Sequence, residues 1–299
     1  MEGAIMPNFE ELIYQRLTQD QQLTSLLAKF KTLPAVFEMQ APSDADKGWS
    51  GKQYPRVNYS VDKQENPERK VSGTVVLDVL TTTDQEAGPE VVEARIKDLL
   101  SNTFFEPDSE PVIALVWNQT NAFQEDGGND ELVIGATITF DMLAFPVQTT
   151  AEPDPISAFI NWTTSKYPGV HLFNTVPQPP YIWTPSASQP AIYWRLAGTK
   201  MEIQTNAVIW MNATIACHVF APAPSDRLPW IKNITESLAM EERVYLGDMS
   251  PMFIRNISAD SNRDPLREGQ ITITTRYGIL RSKPSAEPLN NVNYNGAMP

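Results

Sequence analysis

The chain has 299 residues, enough for two domains of about 150 each, and its 41% apolar and 20% charged residues are the composition of a folded protein. A net charge of −13 argues against binding to a nucleic-acid backbone, and a single cysteine, Cys217, excludes an internal disulfide framework and a cysteine-rich zinc site. The opening MEGAIMPNFEELI has no basic n-region or long apolar run, and no later stretch reaches the ~18 apolar residues of a membrane span, so a protein made in a reducing cytoplasm is expected.

In chain order, Phe9 to Phe30 predicts an amphipathic helix, with Phe9, Leu12, Ile13, Leu17, Leu26 and Leu27 near one face, Asn8 as N-cap and Glu11 completing a capping box. Pro34 stops it. Ala35 to Met39 is a short strand, Ser43 to Gln53 a polar loop, and Arg56 to Val61 an alternating, half-buried strand. Asp62 to Lys70 is a polar turn. Val71 to Thr82 is β-branched and reads as a central strand, followed by a helix with Pro89 near its first turn and Val91, Val92, Ile96, Leu99 and Leu100 as its inner face. Val112 to Trp117 is an apolar strand, Asn118 to Glu131 an acidic loop around Gly127 and Gly128, and Leu132 to Phe145 a long alternating strand. Further on come a helix over Pro155 to Tyr167, a proline-rich loop over Pro177 to Pro190, and strands over Ala191 to Leu196 and Ala207 to Phe220. A helix from Leu228 to Glu242 precedes strands over Met252 to Ile257 and Gly269 to Arg281.

This order repeats. PAVFEMQAP from Pro34 answers PGVHLFNTVP from Pro168, and YPRVNYSV, with Tyr59, answers QPAIYWRL, with Trp194. Val92 and Leu99 answer Ile231 and Leu238, and Phe140 answers Tyr277, all at offsets of 134 to 139 residues. Four blocks in one order point to a duplicated unit. The expected fold is α+β: two tandem related domains, each a mixed or antiparallel sheet with helices packed on it. The partition is an acidic domain over 1–148, a linker over 149–155, a diverged copy over 156–283 and a C-terminal tail over 284–299. Residues 1–150 hold 24 acidic and 11 basic side chains, whereas 151–299 hold 12 of each, so the whole charge excess lies on the first copy.

No catalytic motif accompanies the repeat. Cys217 and His218 are adjacent on a strand and point to opposite faces, so they read as a buried thiol beside a solvent-side imidazole, not as a nucleophile and its base. Glu125, Asp126, Asp130 and Glu131 offer oxygens around a glycine pair, but without calcium-loop spacing, and read as a solvated turn. No metal or cofactor is expected. Trp49 at a polar loop tip beside Asp46 and Lys52, with Tyr181 and Trp183 in the proline-rich loop, are candidate interface residues. For Trp49 the alternative is folding back on its own domain.

The pattern over about residues 9 to 146 (FEELIYQRLTQDQQLTSLL, PAVFEMQAP, YPRVNYSV, GTVVLDVLTT, GPEVVEARIKDLL, VIGATITFDMLAF) resembles the tail terminator, or tail completion, proteins of tailed phages. The resemblance implies a structural virion protein without enzymatic activity, at the head-proximal end of the tail. It would form a ring, usually of six subunits, that caps the tail tube and docks the head or neck connector. In contractile tails it also grips the sheath. Three doubled chains are the alternative stoichiometry. DNA passes through such a ring without specific binding, and the acidic residues Glu125, Asp126, Asp130 and Glu131 are candidates for its channel or for an interface loop. Rival readings are a baseplate or sheath-associated protein, an enzyme on a duplicated α+β scaffold, and a cytoplasmic adaptor.

Overall fold

Asn8 starts the first helix, α1 (Phe9–Gln19), through the expected reciprocal cap: its side chain accepts from Glu11 N at 2.8 Å, and the Glu11 carboxylate accepts from Asn8 N at 3.1 Å. The structure is a computed structural model describing residues 7–64, 71–85, 87–108, 110–126, 132–173 and 180–281. The polar turn expected up to Lys70 lies partly, and the C-terminal tail over 284–299 wholly, outside the described residues. The helix expected over Phe9 to Phe30 is broken at Asp20. There the backbone turns extended (ψ 115°), and the carboxylate accepts from Leu23 N at 2.7 Å, capping α2 (Gln21–Leu26). A mid-helix aspartate competes for backbone donors in this way. Arg95 holds the same carboxylate with Nε at 3.0 Å.

Beyond α2 come β1 (Lys29–Phe30), β2 (Leu33–Pro34), β3 (Val36–Glu38), β4 (Arg56–Lys63), β5 (Gly73–Thr82), α3 (Pro89–Leu100), β6 (Phe104–Phe105), β7 (Val112–Asp126) and β8 (Leu132–Phe145). The second series is α4 (Pro155–Lys166), β9 (His171–Leu172), β10 (Ile182–Trp183), β11 (Ala191–Gln204), β12 (Val208–Phe220), α5 (Pro224–Glu241), β13 (Arg243–Tyr245), β14 (Pro251–Ala259) and β15 (Ile271–Leu280).

Period-two alternation fixes one buried face on each strand of the first sheet. Val57 and Tyr59 of β4, Val75, Leu77 and Val79 of β5, and Ile138, Phe140 and Met142 of β8 meet Phe9, Leu12 and Ile13 of α1 and Val92, Ile96 and Leu99 of α3 in one apolar cluster. Each such side chain contributes about 1.5–3 kcal/mol on burial. In the second series, Phe159 of α4 stacks on Trp194 (4.7 Å between centroids, 29° between planes), whose Nε1 donates to Thr163 Oγ1 at 2.9 Å. Ile231, Ile234 and Leu238 form the buried stripe of α5.

The two sheets repeat one strand order. The first runs β3-β4-β5-β8-β7-β6, with β10 added at its end, and the second runs β9-β11-β12-β15-β14-β13. The opening pair is parallel in both, β3 with β4 and β9 with β11. The β5–β8, β8–β7, β12–β15 and β15–β14 pairs are all antiparallel. Even the register break recurs: it falls between Trp117 and Gln119 on β7 and between Ile254 and Asn256 on β14, an offset of 137 residues. Tyr59 and Trp194, Val92 and Ile231, Leu99 and Leu238, and Phe140 and Tyr277, aligned by sequence, are all buried.

Three segments differ from their sequence reading. β7 continues to Asp126 instead of ending at Trp117, because the alternating β8 supplies it with a partner as far as Asp126↔Leu132. β11 runs to Gln204 instead of Leu196, and α5 begins at Pro224 instead of Leu228. By contact density the described parts of Met1–Val147, Gly169–Tyr193 and Val219–Arg227 form one compact unit, and those of Gln148–Pro168, Trp194–His218 and Leu228–Pro299 form another. Residues 169–193 and 219–227 therefore cluster with the first series of elements.

Replacing Asp20 by alanine removes both the α2 cap and the partner of Arg95. A loss of about 1 kcal/mol is expected from the cap alone, read as a shift in urea midpoint. The Arg95 hydrogen bond holds the Asp20 carboxyl below the usual carboxylate range. This stabilisation is full above that range and disappears as acid protonates the group.

Candidate assembly interface

The loop carrying Trp49 is built around Phe30. An isolated antiparallel bridge joins Phe30 to Trp49, and the two rings meet edge to face at 5.1 Å. Phe37 approaches the indole at 5.7 Å, Nε1 donates to Ser43 O at 3.0 Å, and the Arg56 guanidinium lies 5.9 Å from the ring. Gly48 allows this approach, since a Cβ there would stand 2.4 Å from the Phe30 ring. Asp46 accepts from Gly48 N at 2.7 Å and so shapes the turn, while Lys52 reaches Gln85 Oε1 at 3.4 Å. Trp49 is thus half-buried within its own unit; Asp46 and Lys52 are exposed.

Tyr181 and Trp183 sit on or beside β10, and the proline-rich loop is not a free loop there. β10 pairs antiparallel with β6 (Ile182↔Phe105, Trp183↔Phe104), and Glu106 N donates to Tyr181 O at 2.8 Å. The His171 ring stacks on Trp183 at 4.6 Å and 12°, and its Nε2 meets the carboxylate of Glu106, a residue only 4% exposed. Beside them Phe104, Phe145, Phe173, Tyr193 and Phe220 form a buried aromatic cluster, with Phe104 4.7 Å from Phe173 and 4.9 Å from Phe220. Tyr181 and Ile182 also line a cavity of about 480 Å³ with Leu12, Arg16 and Asp20.

The acidic candidates do not form a loop as far as they are described. Glu125 and Asp126 lie on β7, opposite Val133 and Leu132, while Asp130 and Glu131 lie outside the described residues. Here the sequence reading is corrected: polar residues at 118–126 gave no hydrophobic period, yet cross-strand pairing makes them a strand. β6 covers β7 only at Ile113 and Ala114, with one bridge from Ser101 to Leu115. From Trp117 to Asp126 no strand pairs with the outer edge of β7 among the described residues. β11 is similar: β9 pairs with it only at Ala191 and Ile192, leaving the outer edge from Arg195 to Gln204 uncovered among the described residues. Large apolar side chains stand exposed on both, Trp117 at 45%, Met201 at 57% and Ile203 at 51%.

His218 corrects a second expectation. It is 2% exposed, not solvent-side, with Nδ1 2.7 Å from Pro265 O, and Cys217 beside it is fully buried. Both faces of β12 are covered at this point, so adjacency on a strand did not imply exposure. Burial holds the imidazole pKa down to about 4 and pushes the thiol up.

Sequence reasoning missed the Glu106–His171–Trp183 group and the Arg16–Asp20–Arg95 cluster. Glu106 and His171 are 65 residues apart and Asp20 and Arg95 are 75 apart, and pairing of distant strands and helices brings them together. Among the described residues no group of three or more histidine, cysteine, aspartate or glutamate side chains is placed to hold a metal, and no helix is long and apolar enough to cross a membrane.

No protein-family model matches the sequence, and no curated protein matches it. Among solved structures, a chain described as "Virion of native gene transfer agent (GTA) particle" is similar at 17% identity and a TM-score of 0.32, over 46% of this chain and 96% of that one.

Two outcomes follow from this geometry. His171→Ala strands the buried Glu106 carboxylate and should cost about 2 kcal/mol in chemical denaturation; an unchanged midpoint would show the contact to be idle. For His218, the native state refuses a proton that the unfolded chain accepts between its ordinary 6.5 and about 4. Stability should therefore fall by about 3 kcal/mol as pH drops through that window, and His218→Gln should flatten that slope.

Proposed function

We propose that this chain is a structural component of a phage-like particle, a ring-forming tail terminator that caps the tail tube and presents a docking face to the head or neck connector. The observation that carries the reading is the pair of long uncovered strand edges, on β7 and β11, left by a duplicated fold. A ring needs heterologous contacts, in which one surface of a copy meets a different surface of the next. Two unlike free edges on one chain meet that requirement. The resemblance of residues 9 to 146 to the tail terminator family supports the same reading, and the recurring sheet order supports the doubled form of it.

In this reading six copies form the ring, three being the alternative that a doubled chain permits. The chain works without a cofactor or a reaction. Its acidic first half (24 acidic against 11 basic side chains over 1–150) discourages the adhesion of passing DNA. In a contractile tail the ring also grips the last sheath ring.

Native mass measurement of the purified protein should give six copies, or three. A monomer at every concentration contradicts the ring. Particles assembled without the protein should carry tails of uncontrolled length or heads and tails that fail to join. Labelled protein should lie at the head-proximal end, and a distal label would instead favour the baseplate reading.

A further inference from the structure

We infer that the uncovered edge of β7 over Trp117–Asp126 accepts the uncovered edge of β11 over Arg195–Gln204 from a second copy of this chain, so that the first sheet of one copy continues into the second sheet of the next. This deepens the ring reading above and rests on it.

The two edges match in length, ten residues each, and in kind. A free edge presents a row of unpaired backbone donors and acceptors, and edges left to solvent are usually blunted by lysine, proline, shortness or a covering loop. The uncovered edges elsewhere are shorter: β3 and β13 have three residues each, and the stretches they leave uncovered on β4 and β14 are Ser60–Lys63 and Arg255–Ala259. The edge of β6 is covered by β10. By contrast, 117–126 (WNQTNAFQED) holds no lysine and no proline, and 195–204 (RLAGTKMEIQ) holds no proline. On β11, moreover, Met201 and Ile203 are exposed beside the edge.

Charge selects the partner. Glu125 makes no ion pair among the described residues. On β11 the one acid, Glu202, is taken by Arg276 of its own sheet, which leaves Arg195 and Lys200 without a carboxylate partner among the described residues. Pairing β7 with β11 brings Glu125 to these cations. Pairing β7 with a second β7 offers Glu125 no cation, since 117–126 holds neither lysine nor arginine, and closes a two-fold dimer, which cannot propagate into a ring. The chain already uses this mode once, where β10 adds to β6.

The test uses full-length chains. One preparation carries a single cysteine at β7 (Gln119→Cys, Asn121→Cys or Gln124→Cys) and the other a single cysteine at β11 (Thr199→Cys, Met201→Cys or Ile203→Cys). All six positions are exposed, and the native Cys217 is fully buried. The two are mixed, reassembled and oxidised. Disulfides joining a β7 chain to a β11 chain, at positions of one register, support the inference. An oligomer of intact mass with no such disulfide, or with β7–β7 disulfides, overturns it and leaves the ring standing, whereas a monomer at all concentrations overturns both. In parallel, Lys200→Glu should weaken association about tenfold, and more strongly at low salt. Adding Glu125→Lys to the same chain should restore it; a loss that the exchange does not repair counts against the pairing.

Discussion

The central antiparallel pair of each sheet, β5 with β8 and β12 with β15, is the constraint from which the rest of the molecule follows. Each is a ladder of ten residue pairs, from Gly73↔Met142 to Thr82↔Val133 in one and from Val208↔Leu280 to Cys217↔Ile271 in the other. Because side chains alternate with a period of two, a slip of one residue would turn Val75, Leu77 and Val79 away from the helices that cover them. With the ladder fixed, α1 and α3 have one apolar face to cover, and the outer strands are left to end where their own partners end.

Those endings shape the functional reading. β6 and β9 are two residues long, whereas the strands they flank, β7 and β11, are fifteen and fourteen. Short neighbours on long strands leave edges uncovered, and neither uncovered stretch holds a proline. A monomer with such edges would be an aggregation hazard. In the proposed assembly the same edges would be the joints. The Trp49 loop and the β10 segment, both candidates for interface contacts from sequence, are instead largely spent on contacts within their own unit, Trp49 against Phe30 and Phe37, and Trp183 against His171.

Much of the fold was legible because apolar periodicity carried it. The cap at Asn8, the α3 stripe of Val92, Ile96, Leu99 and Leu100, and the alternation of β8 needed no long-range information, although Val91, read on the same stripe, is 45% exposed. The repeat was legible for the same reason: Tyr59 and Trp194, or Leu99 and Leu238, keep the apolar character their buried places demand. What failed were segments whose structure is imposed by a partner. The polar 118–126 stretch becomes a strand because β8 pairs with it, and 197–204 becomes one next to β12. Asp20 reads as one more polar position on a helix until Arg95, brought in from α3, makes its role as a cap visible. Of the candidate site residues, sequence found the aromatic groups but not their use, and it did not register the two edges, since unpaired backbone has no residue-type signature.

Amide hydrogen exchange followed as a function of protein concentration tests the central claim most directly. The account predicts that amides of 117–126 and 195–204 exchange fast in dilute, dissociated protein and become protected together as copies associate. Association that protects other surfaces, while both stretches go on exchanging at the dilute rate, would contradict it.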